Sequence, residues 1–197
     1  MSKAEETKQY IISVAAPIFN KHGYAATTMS QLTKATKLTK GAIYGNFKNK
    51  EELAIKAFDY NVALLIGAIR KKTHPSSTPL ERLNAIVDFY RDYYVYSKKF
   101  GGCPVLNVGV DANNQNTLLL ENVRRTIKTL QGYIEKIIEK GIEKGQFKTT
   151  ADPEAWAVRI DTMIQGATFI TYTMDNDIYM KNTMDQIDMM ITNELKV

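Results

Sequence analysis

Thr39, Lys40, Gly41, Ala42, Tyr44 and Asn46 crowd into one short stretch, and their types suit contact with a nucleic acid. Gly41, Ala42 and Gly45 have almost no bulk, so a backbone carrying them can approach a groove closely. Lys40 can meet a phosphate or a guanine edge, Ala42 a thymine methyl, and Asn46 an adenine. Thr28, Tyr44 and Lys50 suit phosphates, which position a protein without reading sequence. Catalytic chemistry has no comparable cluster. His22 and His74 belong to no catalytic motif, and no Cys-His set has zinc spacing. GIEKGQF has two glycines but lacks the Lys-Ser/Thr pair of a phosphate loop. The sequence therefore implies no enzyme, no metal and no cofactor. Cys103 is the single cysteine, which excludes an intramolecular disulfide and suits a reducing cytoplasm.

Three short helices must position those residues, over 29–36, 40–46 and from 50 onward. Thr28 with Gln31 has capping-box spacing, and Asn49 with Glu52 repeats it. Thr39 can cap the second helix through its hydroxyl. Leu32, Leu38, Ile43 and Phe47 are the apolar anchors between the helices. Two helices joined by a turn of about three residues form a helix-turn-helix, whose second helix can enter a major groove. Lys37, in the turn, would need a positive φ. Charge agrees: residues 1–50 hold eight lysines and two acids, a net +6, while the whole chain carries +5. A basic module on a near-neutral body is the electrostatic footprint of nucleic-acid binding.

The run GYAATTMSQLTKATKLTKGAIYGNFKNKEEL resembles the DNA-binding domain of the TetR/AcrR family of bacterial regulators. Gly23, Tyr24, Thr27, Thr28, Thr39, Lys40, Gly41, Ile43, Tyr44, Phe47, Lys50, Glu51 and Leu53 carry the likeness. Thr33 stands where a small Ala is usual and Lys37 where Gly often makes the turn. Gly45 and Asn46 replace an aromatic-His pair. These departures bear on the operator sequence, not on the binding mode.

The remaining apolar spacings are helical, with no convincing strand alternation. A first helix over 4–21 buries Ile12, Ala15, Ala16 and Phe19, with a kink expected at Pro17 and an end at Gly23. A fourth, 50–72, continues from the reading end into the body, and His74 to Pro79 form the best linker. Further helices are expected over 80–98, from Pro104 to about 112, and over 116–144, 153–174 and 178–195. The stretch after Gly101 and Gly102 also resembles a sixth-helix signature of the family. The expectation is an all-α chain of about nine helices, with a DNA-binding domain over 1–50 and a ligand-binding and dimerisation domain over 51–197. No apolar run can span a bilayer, and the N-terminus is no signal peptide.

The resemblance implies a homodimer formed by the last two helices and an effector pocket inside the body. Candidate lining residues are Tyr60, Tyr90, Tyr93, Tyr94, Asn107, Met163, Gln165, Phe169 and Tyr172. Such a lining suits a small lipophilic effector carrying a hydroxyl or carbonyl. The function expected is a ligand-responsive, cytoplasmic regulator, a repressor that binds a palindromic DNA operator as a dimer. The alternative is a ligand-binding protein of the same fold with weak or no specific DNA binding.

Overall fold

Helices make up every regular element among the described residues, 2–113 and 115–197, of the computed structural model; one isolated bridge pairs Phe147 with Lys196. The chain forms two compact units, Met1–Leu65 with Ser97–Arg125, and Ile66–Tyr96 with Thr126–Val197.

The first unit begins with α1, Lys3–Ala26, which Ser2 caps by accepting the Glu5 N–H. Its backbone keeps helical dihedrals through Pro17, where a kink was expected. A helical φ suits the proline ring, which costs the helix one hydrogen bond. The chain departs from helix at Gly23 instead (φ 79°, ψ 169°), a conformation that side chains disfavour. There the Thr27 N–H and hydroxyl both donate to the Gly23 carbonyl. α2 is Met29–Thr36, α3 Lys40–Tyr44, and α4 Lys50–Thr73. Ile11, Ile12, Ala15, Ala16 and Phe19 of α1 are buried, as are Leu32, Ile43, Phe47 and Leu53. Leu38 is only half-buried. α7, Pro104–Ala112, packs on α1, and α8, Thr117–Glu143, starts in this unit and ends in the other.

The second unit takes the end of α4, then α5, Pro79–Arg91, and most of α6, Tyr93–Lys98. One helix over 80–98 was the expectation, but Asp92 (φ −100°, ψ 3°) divides it. No glycine or proline between 80 and 98 marks that break. α9 is Pro153–Met174 and α10 Ile178–Met190, which runs on into a π-helical turn, Ile191–Leu195. The described residues thus hold ten α-helices where about nine were expected, chiefly through the division at Asp92. Ile160, Ile164 and Ala167 are buried on α9, and Met180, Met184 and Ile187 on α10; the two helices pack together. Arg91 donates to Asp185 and, at 2.6 Å, to Asp188, tying α5 to α10. Phe147 lies so close over Gly141 that α8 has no room for a side chain there.

Candidate nucleic-acid interface

The caps read from the sequence are made. Thr28 accepts the Gln31 N–H at 3.2 Å while the Gln31 side chain accepts the Thr28 N–H at 2.7 Å. Both free amides of that turn are thereby satisfied. Thr39 accepts the Ala42 N–H at 3.1 Å. Asn49 accepts the Glu52 N–H, and Glu52 reaches back to the Lys48 N–H. Lys37 closes the turn between α2 and α3 in the left-handed region (φ 56°, ψ 25°). Tyr10 adds a cross-tie by donating to the Thr36 carbonyl.

With Leu32, Ile43 and Phe47 buried, one edge of α3 faces outward. Thr28, Thr39, Lys40, Gly41 and Tyr44 are exposed, and Ala42, Asn46 and Lys50 are half-buried. A Cβ added at Gly41 would meet only the Thr39 hydroxyl, at 3.9 Å, so that surface is open. The Lys40 ammonium lies 5.9 Å from the Tyr44 ring centre. Two of the expected contacts are otherwise engaged. The Asn46 amide donates to the Ala42 carbonyl at 2.9 Å, so bidentate pairing with adenine requires it to turn away. The Lys50 ammonium sits 4.5 Å from the Tyr24 ring centre; burial pushes its pKa down, with Asp111 opposing. Burial also raises the Tyr24 hydroxyl, with Glu51 and Tyr44 adding to it.

Sequence reasoning missed the groups that hold this end against α7. Asp111 accepts the Tyr24 N–H at 2.6 Å, beside Gly23, where α1 departs from helical dihedrals. The Asn20 amide donates to the Phe100 and Gly102 carbonyls, and Asn107 donates to those of Asn20 and Gly101. Asn116 donates to Glu51. Apart from Asn107 and Gly101, six positions apart, the partners lie 65 to 87 positions apart and leave no local signal.

The residues expected to line a pocket are divided between the units. Tyr60 and Asn107 belong to the first unit; Tyr90, Tyr93, Tyr94, Met163, Gln165, Phe169 and Tyr172 belong to the second. Tyr94 and Tyr172 meet edge to face, 5.2 Å between ring centres, and the Tyr94 hydroxyl donates to Asp175. Tyr90 and Tyr93 pack with Phe89 in a second aromatic group. Met163 is half-buried, and Gln165 donates to the buried Asp161. Phe169 is 51% exposed.

Comparison with known proteins agrees with this geometry. Residues 11–57 match the family described as bacterial regulatory proteins, tetR family, and residues 79–187 match the tetracyclin repressor-like C-terminal domain. The Bacillus subtilis protein described as uncharacterized HTH-type transcriptional regulator YxaF is 25% identical over 194 residues, 97% of this chain and 98% of its own. The Pseudomonas putida HTH-type transcriptional repressor NicS is 28% identical over 149 residues, 74% of this chain and 68% of its own. A TetR transcriptional regulator from Chloroflexus aurantiacus superposes with a TM-score of 0.95 over 100% of both chains at 28% identity. A TetR-family regulator from Cytophaga hutchinsonii gives 0.92 at 32% identity, over 100% of this chain and 98% of its own. No helix of the described residues is long and apolar enough to cross a membrane. With a reading-head match, a body match over more than half of its length and full-length structural counterparts, the chain belongs to the TetR family of DNA-binding, dimeric, non-enzymatic transcriptional regulators.

Proposed function

We propose that this regulator is a repressor whose dimer reads a palindromic operator with α3 and is released by a small lipophilic effector. The observation that carries the reading is the capped α2–turn–α3 unit, with the small-residue edge from Thr39 to Tyr44 exposed on a lysine-rich module. Lys40 meets a phosphate or guanine edge, Ala42 and Gly41 let the helix approach, and Thr28, Thr39, Tyr44 and Lys50 hold phosphates. One short helix spans few base pairs, so two copies related by a two-fold axis supply the specificity.

For the dimer surface we propose α9 and α10. Val158, Phe169, Ile170 and Met174 of α9 and Ile178, Tyr179 and Met189 of α10 are exposed although apolar. A second copy of the same pair covers them. The effector site draws on Tyr90, Tyr94, Met163 and Tyr172 of the second unit. Effector binding there favours a dimer in which the two α3 helices no longer match one turn of DNA, about 34–36 Å. A second reading, effector binding without specific DNA binding, is favoured by the engagement of Asn46 with Ala42 and of Lys50 with Tyr24.

Selection of bound duplexes from a random pool at physiological salt separates the two. An enriched palindrome supports the repressor reading. Lys40→Ala then weakens binding to all sequences and lowers the salt slope by about one, whereas Ala42→Val changes the preferred base at one position. Salt-sensitive binding without enrichment gives the field to the second reading.

A further inference from the structure

Between the C-terminal part of α4 and the middle of α8 lies a cleft of about 380 Å³ within the second unit. Ile66, Ile69 and Leu130 give it apolar walls. Arg70, Lys128 and Lys136 also line it, and none of the lining residues is acidic. None of these three cations makes a salt bridge among the described residues. Tyr133 lines the cleft too, and its hydroxyl shares a hydrogen bond with Thr73 at 2.9 Å, joining α8 to the end of α4. Gly132 opens one wall: a Cβ built there meets no atom within 4 Å.

We infer that this cleft binds an amphipathic organic anion, its acid group against Arg70, Lys128 and Lys136 and its apolar body against Ile66, Ile69 and Leu130. Beside these exposed cations a neutral lipophile offers no acceptor of opposite charge. A carboxylate or sulfonate accepts charge-assisted hydrogen bonds from them while its hydrocarbon part displaces water from the isoleucines. The volume lies in the range of small-molecule sites. The inference goes beyond the effector reading above: it assigns a separate site, lined by none of the residues named there.

Titration calorimetry of the full chain without DNA tests it, with decanoate and 1-naphthalenesulfonate as anions and 1-decanol as the neutral counterpart. Decanoate is expected to bind at least about tenfold more tightly than 1-decanol, the weight of one charge-assisted hydrogen bond. Arg70→Gln with Lys128→Gln is expected to remove that preference, because exposed side chains are changed and the fold is not. Gly132→Phe grows into the cleft and is expected to weaken both anions by more than about tenfold, the weight of the apolar area it denies them, with thermal unfolding no earlier than wild type. Equal binding of decanoate and 1-decanol overturns the inference. So does undiminished anion binding in Gly132→Phe, or no binding of either anion. Operator release is measured separately: a chain that binds decanoate yet keeps its DNA leaves the cleft standing as an anion site that does not control the operator.

Discussion

Between Thr28 and Glu52, side chains cap helices through hydrogen bonds three or four residues long. In the second unit the cross-ties join residues 30 to 97 positions apart: Gln131 to Asp161, Thr73 to Tyr133, Leu80 to Gln146, Arg91 to Asp188. The reading end therefore carries most of the instructions for its own shape, whereas the body, although Thr78 and Asp152 cap its helices locally, joins them through distant segments. The two kinds of contact meet inside the first unit. There Asp111, Asn107 and Asn116 of α7 and the segment after it hold α1 and α4 through bonds as long-range as those of the body. α3 is capped locally, while α7 and the segment after it are tied to α1 and α4; the ligand-released repressor proposed above would use that division by moving the reading helix without remaking it.

Removing the longest-range tie of the reading end should have the largest effect. Asp111→Ala leaves the Tyr24 N–H without its carboxylate and is expected to cost about 1–3 kcal/mol. Hydrogen exchange should show faster loss of the Tyr24 amide proton, while the amides of Gln31 and Ala42, capped locally, keep their protection. If those two amides are exposed equally, the reading end depends on α7 for its shape and the contrast fails.

Asp161 sharpens the other side of the comparison. It is buried on α9, and burial pushes its carboxyl above the usual range, against the pull of hydrogen bonds from Gln165 and Gln131. A folded pKa above the unfolded one means that the folded chain holds the proton more tightly. Stability then falls as pH rises from the ordinary carboxylate range through the raised value, and remains lowered at neutral pH. Asp161→Asn is expected to raise the melting temperature at pH 7, with the Gln165 amide turning to match the new donor. The gain should vanish below the ordinary carboxylate range. A gain of equal size at every pH would assign it to packing instead.

The smallest effect tests a local choice. Lys37 holds a left-handed conformation at some cost in backbone energy, and glycine takes the same conformation freely. Lys37→Gly is expected to stabilise the chain by at most about 1 kcal/mol, because glycine gives back part of the gain as unfolded-state entropy. Chemical denaturation reads this directly, and a loss of stability would mean that the lysine side chain makes a contact worth more than the strain.

What the sequence determined by itself is whatever rests on neighbours along the chain. The caps at Thr28, Thr39 and Asn49, the left-handed turn at Lys37, the departure from helix at Gly23 and the spans of α7 and α9 were legible. Each follows from side-chain to backbone bonds a few residues long, or from a glycine or proline whose dihedral preferences are intrinsic. The outward edge of α3 was legible too, because apolar spacing fixes which face is buried. Tertiary structure alone decided the division of the fifth predicted helix at Asp92, the π-helical turn after α10, the hold of Asp111 on Tyr24 and the cleft lined by Arg70, Lys128 and Lys136. It also laid the Lys50 ammonium over the Tyr24 ring. For the Asp111 tie, the Lys50–Tyr24 contact and the cleft, segments remote in sequence set the geometry, and loop closure has to bring them together before any of the contacts exists.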